Sequence, residues 1–481
     1  MKKTIFWAFL EQTGPQVVGF VTSIILARIL LPNDFGLIAM LAVFMAIGQL
    51  FADSGMSQAL IQRKHNSVDD TTSVFYLNLA IGFLMTVLLY VSAPLISDFY
   101  DQPMLVKLIH WQSLGFFISA FGIVQHSLLS RDLMLKQTTI ASFSSTVVGG
   151  GASIYMALND YGVWSLVAGY LIGTVTRVIS LWIVSSWRPT GKLSRESIKS
   201  VWSYSINILS ANIFTTIVSN LSSVLIGKKY SASDLGLYNR AFNLYYLPIS
   251  LLTGVINRIA FPVFSKNQDN LIAMKAQLRK SVNFSVFLAG FVCFLIAILA
   301  DPLIPWMLGD NWTGSIIYLQ VLSLGGVFFP VNVLLITAIK STGRSDLYLK
   351  VELIKKSIIM IVLFITVNYS ILYMAWGLLF TGFLAYLFNA KFTMKKINYS
   401  WSEQCHDFLP VLLLLGVASI TSVLLKYILK IDFQFFEMLV IGIVYLIVCF
   451  GLVFLFKKTI FKDIYDQILN FLTPITSKIN F

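Results

Sequence analysis

Apolar runs of about 20 residues recur along almost the whole chain, and about 20 residues is the length an α-helix needs to cross a hydrocarbon layer. In that medium an unpaired backbone N–H or C=O costs several kcal/mol, so spanning segments fold as helices or as a closed barrel. Barrel strands use runs about half as long, which leaves helices. About fourteen such runs can be placed, centred near residues 17, 47, 85, 117, 148, 174, 213, 251, 291, 326, 361, 384, 419 and 445. Composition agrees. Hydrophobic residues are 57% and charged residues 12% of 481, where soluble domains hold ~45–50% and ~25%. The expected fold is an all-α polytopic membrane protein. Disordered, collagen-like, coiled-coil and small disulfide-bonded chains are excluded. Cys293, Cys405 and Cys449 have no spacing that implies a disulfide or a zinc site.

The net charge of +13 would suit a nucleic-acid partner if the bases formed one surface. They fall in alternate connections instead. With Lys2 and Lys3 inside, the inner connections take Arg63, Lys64, Arg131, Lys136, Arg188, Lys192, Lys275, Arg279, Lys340, Arg344 and the tail from Lys457. The outer ones take only Arg28, Lys107, Lys228, Lys229, Arg240, Lys426 and Lys430. By the positive-inside rule both termini are cytoplasmic, and the bases face anionic lipid headgroups, not nucleic acid. The first run carries Glu11 and Gln12 and lacks a small-residue cleavage site, so it reads as a retained helix. Trp111, Trp164, Trp187, Trp202, Trp306, Trp312 and Trp401 lie near run ends, where an indole suits the membrane interface.

The chain contains a copy of itself. Ala27-Arg28-Ile29-Leu30-Leu31-Pro32-Asn33-Asp34-Phe35-Gly36-Leu37 is echoed by Gly227-Lys228-Lys229-Tyr230-Ser231-Ala232-Ser233-Asp234-Leu235-Gly236-Leu237. Ala93-Pro94-Leu95-Ile96 recurs as Asp301-Pro302-Leu303-Ile304, and Asp132-Leu133-Met134-Leu135-Lys136 as Asp346-Leu347-Tyr348-Leu349-Lys350. Six runs separate the copies, an even number, so both have the same orientation. Two six-helix lobes (1–190 and 191–400) related by a pseudo-twofold axis along the membrane normal are expected, with two additional helices and a tail in 401–481.

The first run of each lobe is the polar one. Gln12, Gln16, Gly19 and Ser23 share one helical face, as do Asn212, Thr216, Ser219 and Ser223. These faces line a hydrated cleft or supply inter-helix hydrogen bonds. Glu11 and Asp53 are candidates for coupling transport to an ion gradient, or are locally paired carboxylates, Asp53 with Arg63 and Lys64. Arg28, Lys228 and Arg240 could meet a phosphate or an acidic sugar; alternatively they complement helix C-termini and pair with Asp34 and Asp234. Arg177 lies within a run, either facing the cleft or snorkelling toward the cytoplasm. His65, His110, His126 and His406 lack ligand spacing and are expected in solvated or interfacial positions, with no metal. No nucleotide-binding loop or hydrolase motif occurs, so neither intrinsic ATP-driven transport nor enzyme catalysis has a seat in the sequence.

The stretch Leu26-Ala27-Arg28-Ile29-Leu30-Leu31-Pro32-Asn33-Asp34-Phe35-Gly36-Leu37-Ile38-Ala39-Met40 resembles the Wzx-type polysaccharide exporters, as do Phe51-Ala52-Asp53-Ser54-Gly55 and Ala59-Leu60-Ile61-Gln62-Arg63-Lys64. These exporters belong to the multidrug/oligosaccharidyl-lipid/polysaccharide exporter superfamily. Leu225-Ile226-Gly227, Leu235-Gly236-Leu237-Tyr238-Asn239-Arg240-Ala241-Phe242-Asn243-Leu244 and Phe261-Pro262-Val263 resemble the family's second-lobe signature. The resemblance covers residues 1–400 and is most specific in the first third. It implies a bacterial inner-membrane flippase moving an undecaprenyl-diphosphate-linked oligosaccharide from the cytoplasmic to the periplasmic leaflet by alternating access. Such a protein serves O-antigen, capsule or exopolysaccharide synthesis, beside a polymerase and chain-length machinery. It needs no cofactor beyond a proton or sodium gradient, and the prenyl tail would stay in lipid near the last two helices. Ser222 stands where many relatives carry Asp; if that Asp takes part in ion coupling, coupling here would differ or rest on Glu11. A drug or small-metabolite antiporter of the same superfamily is the alternative reading.

Overall fold

The computed structural model describes residues 2–53, 56–62, 67–268, 270–342, 345–429 and 433–456, and every long element is a helix. The chain divides into two compact units, Met1–Gly236 and Leu237–Phe481. The first holds α1 (Lys2–Ile29), α2 (Pro32–Asp53), α3 (Met56–Gln62), α4 (Val68–Tyr100), α5 (Met104–Ala120), α6 (Ile123–Arg131), α7 (Leu135–Leu158), α8 (Trp164–Val184) and α9 (Arg195–Lys229). The division falls in the first turns of α10 (Ala232–Lys266). The second unit continues with α11 (Leu271–Leu308), α12 (Ile316–Gly326), α13 (Phe328–Ser341), α14 (Ser345–Thr366), α15 (Ile371–Ile397), α16 (Trp401–Leu429) and α17 (Gln434–Leu455).

All fourteen expected centres lie inside a helix; Gly326 is the last residue of α12, and Val327 alone separates it from α13. Among the described residues nine helices are long and apolar enough to cross a membrane, or ten if α5 and α6, bent by 46°, form one broken span. Helices α1, α7 and α9 are not among the nine. Nor is α14; the described part of α1 contributes a shorter apolar helix, Thr13–Ile29, and α7 is rich in Ser, Thr and Gly. Arg63, Lys64, His65, Arg344, Lys430 and the tail from Lys457 lie outside the described residues.

The repeated landmark has a local cause. Asp34 stands at the third position of α2, where its Oδ2 accepts from Leu31 N at 3.1 Å. Asp234 does the same in α10, accepting from Ser231 N at 3.3 Å and Ser231 Oγ at 2.6 Å. Each carboxylate caps an otherwise unsatisfied helix start. The glycines mark a close approach. A Cβ on Gly36 would run into the Ala232 carbonyl, and a Cβ on Gly236 into the Pro32 carbonyl.

The α1–α7–α8 wall is held by small residues, which let helix backbones approach where lipid supplies no hydrophobic drive. A Cβ on Gly150 would come 2.6 Å from Thr22 Oγ1, and one on Gly149 2.6 Å from the Gly169 carbonyl. Ser145 Oγ donates to the Gly173 carbonyl at 2.8 Å, and Ser144 and Ser180 hydroxyls meet at 3.0 Å. The connection after α8 is pinned to the start of α4. Gly191 N donates to Thr72 Oγ1 (3.0 Å), Lys192 N to Asp69 Oδ1 (2.7 Å) and Ser194 N to Ser73 Oγ (2.9 Å).

In the second unit α11 is the central helix. Met274, Leu278, Val282, Val286 and Cys293 form its buried stripe, against Val411, Leu415 and Ala418 of α16 and Tyr445 and Cys449 of α17. Ionic clusters clamp these helices at both ends. Arg279 donates twice to Asp407 (2.7 Å each), which also accepts from Tyr399, while Lys275 meets Glu403 at 2.7 Å. At the far end Lys426 bridges Glu437 (2.9 Å) and Asp301 (3.4 Å). Trp312, expected at the interface, is fully buried in the 3-10 turn Asp310–Ser315, and the Arg240 guanidinium lies 5.0 Å from its ring centre. The turn folds the indole back into the unit, which position along the chain does not reveal.

Candidate functional site

The first unit encloses a cavity of about 920 Å³, at the upper end of the ~300–1,000 Å³ usual for ligand sites. Its walls come from α1, α7, α8 and α9, joined by α2, α3 and the α5–α6 elbow. Gly19, Thr22 and Ser23 come from α1, and Ser145, Thr146, Gly149, Gly150 and Ser153 from α7. Gly169, Tyr170, Gly173, Thr174 and Arg177 form the matching face of α8, and Thr216 of α9 completes the lining. The elbow opens one side. Helix α5 ends at Ala120, its freed Phe121 carbonyl accepts from Trp182 Nε1 at 2.9 Å, and Gly122 faces the cavity.

Among the described residues, Asp53 at the end of α2, His126 in α6, and Tyr170 and Arg177 in α8 are the titratable side chains that line this space. Arg177 is exposed to the cavity and within electrostatic reach of Asp53 and Glu11, and His126 senses the same guanidinium. Charges at this depth are costly without water or counter-charges. The arrangement provides a cation and the Asp53 carboxylate in the lining, with Glu11 within electrostatic reach, beside walls of hydroxyls and bare backbone.

The structure thus brings together Glu11, Asp53 and Arg177, which the sequence separates by up to 166 positions. Thr216, Gly19 and Ser23 are among the residues that line this cavity, which lies within the first unit. Gln16 is exposed and Asn212 half-buried, both off the cavity lining, and the side chain of Gln12 lies outside the described residues. Arg28 is exposed at the end of α1. Lys228 pairs with Asp101 at 2.9 Å, since Asp234 is occupied in capping. Arg240 is 7% exposed. His126 differs from the expectation of a solvated edge, because the elbow turns it inward. His110 stacks on Tyr90 at 3.7 Å between ring centres. Among the described residues no cluster of three or more His, Cys, Asp and Glu could hold a metal. Apart from Arg177, sequence reasoning passed over the lining of α7 and α8, whose Gly149-Gly150-Gly151 run and Gly169/Gly173 pair were the available signal.

The chain is 26% identical over 343 residues to the succinoglycan biosynthesis transport protein ExoT of Rhizobium meliloti (strain 1021), covering 71% of this chain and 69% of that one. It is 25% identical over 341 residues to the lipopolysaccharide biosynthesis protein WzxC of Escherichia coli (strain K12), covering 70% and 69%. Its fold is similar to that of the lipid II flippase MurJ in an inward closed conformation, with a TM-score of 0.76 at 15% identity over 94% of this chain and 99% of that one. The family model described as polysaccharide biosynthesis protein matches residues 25–317. A polytopic helical membrane protein with that match over more than half its length belongs to the polysaccharide biosynthesis protein family.

Proposed function

We propose that the chain is a flippase for lipid-linked oligosaccharides used in surface polysaccharide synthesis. The observation that carries the reading is the polar cavity, in whose lining Arg177 is matched to a diphosphate and the hydroxyl and glycine walls to sugar. The transport and flippase names of the relatives and the fold neighbour support it. In this reading the cargo is an undecaprenyl-diphosphate-linked unit carried from the cytoplasmic to the periplasmic leaflet by alternating access between lobes 1–190 and 191–400. The helices of 401–481 border the prenyl tail. The apolar runs support fourteen spans, the charge pattern supports two cytoplasmic termini, and the family resemblance supports an inner-membrane location. Glu11 and Asp53, coupled to Arg177, are the candidates for linking the cycle to a proton or sodium gradient. Arg28 and Lys228 are candidates for guiding an anionic headgroup, and buried Arg240 is a positioning residue. A polysaccharide polymerase and chain-length machinery would act on the product.

Depletion of the protein tests the function directly. Lipid-linked oligosaccharide should accumulate on the cytoplasmic face, inaccessible to an impermeant sugar probe in intact spheroplasts, and re-expression should reverse this. Normal pools on the periplasmic face would refute the proposal.

A further inference from the structure

On α8, Tyr170, Thr174 and Arg177 stand at i, i+4 and i+7, one face of the helix, and all three line the cavity. At 1.5 Å per residue, Tyr170 is about 10 Å along the axis from Arg177, the reach of a diphosphate with one sugar ring attached. The ring is held from behind. A Cβ on Gly115 of α5 would come within 2.5 Å of its Cε1 and Oη and 2.8 Å of its Cζ. The Thr174 hydroxyl donates to the Tyr170 backbone carbonyl at 2.8 Å, one turn back along the same face. Gly169 and Gly173, its neighbours in the lining, have no side chains, so the phenol is the prominent feature of that wall. It is 37% exposed despite its packing on α5.

A fixed aromatic ring projecting from a wall of glycines and hydroxyls is matched to a ligand with one apolar face and a polar rim, and a hexopyranose is such a ligand. We propose that Tyr170 is the platform on which the sugar ring adjoining the diphosphate stacks while Arg177 engages the diphosphate itself. This rests on the flippase reading and adds a sugar subsite to it. Stacking on an aromatic face tolerates changes at the hydroxyls, so the subsite would select for a pyranose without selecting its epimer.

The test compares binding of two probes to the purified full chain in lipid nanodiscs: undecaprenyl diphosphate, and the same lipid carrying one N-acetylglucosamine. The wild type should prefer the glycosylated lipid. Tyr170→Leu should lose about 10-fold of that preference, the size expected for one aromatic contact, and keep its affinity for undecaprenyl diphosphate, which also shows that the variant is folded. Tyr170→Phe should retain most of the preference. Gly115→Ala, which leaves the tyrosine in place but crowds its ring, should lower it. An unchanged preference in Tyr170→Leu, or a fall in Tyr170→Phe as large as in Tyr170→Leu, would overturn the platform. A wild type that binds neither lipid would instead overturn the flippase reading on which it rests.

Discussion

Replacing Gly169 by alanine places a methyl group where α8 crosses α7 most tightly. The new Cβ would overlap Ser153 Oγ, lie 2.8 Å from the Gly149 carbonyl and 3.0 Å from Ser153 Cβ. The hydroxyl can rotate away; the carbonyl belongs to a helix and moves only with it. Overpacking of this kind costs about 1–3 kcal/mol. In a unit of 236 residues, at ~2–4 °C per kcal/mol, the apparent melting midpoint should fall by roughly 2–12 °C. Because membrane proteins commonly unfold irreversibly, the assay is the temperature at which half the detergent-purified protein is lost from its size-exclusion peak at a fixed heating time. The geometry also fixes the outcome of a second substitution. Ser153→Ala removes the worst overlap but leaves the contacts at 2.8 and 3.0 Å, so Gly169→Ala with Ser153→Ala should recover only part of the loss, a coupling of about 1 kcal/mol. A Gly169→Ala protein as stable as wild type, or a double variant no better than Gly169→Ala, would refute the close-packed wall.

Arg177→Gln should lower transport, scored as surface polysaccharide per cell at matched protein level, by at least about 10-fold, with Arg177→Lys intermediate, because a charge-assisted fork becomes a point charge and then a neutral amide. Asp407→Asn should destabilise the α11–α16 contact by about 2 kcal/mol, read as a lower midpoint in the same heating assay, since two short bonds from Arg279 lose their ionic character. Lys228→Ala should cost under ~1 kcal/mol by that assay, its pair with Asp101 being exposed and screened.

The helices were legible because hydrocarbon imposes a length on apolar runs, and the repeat because its caps and crossings demand the same residues twice. The site was legible only in part. Spacing identifies which residues share a face of α1 or α9, but not which neighbour that face meets, so Gly19, Ser23 and Thr216 line the cavity while Gln16 and Asn212 do not. Glu11, Asp53 and Arg177 were singled out separately as charges hard to keep in a bilayer; their proximity is a product of packing. Tyr170 gave no signal and His126 was expected in a solvated or interfacial position, since exposure to a cavity depends on a glycine beside the ring and on the elbow at Gly122.

The reciprocal crossing of Gly36 and Gly236 restricts how the two copies of the repeat can drift apart. Each glycine is obstructed by a backbone carbonyl of the other copy, so no exchange of side chain at Pro32 or Ala232 relieves a larger residue. A substitution in one copy has no remedy within that copy; a suppressor must shift the main chain about 200 residues away. Selection for suppressors of Gly36→Ala should therefore return second-site changes around residues 230–236, and the two halves of the sequence are bound to evolve together at this point while diverging freely elsewhere.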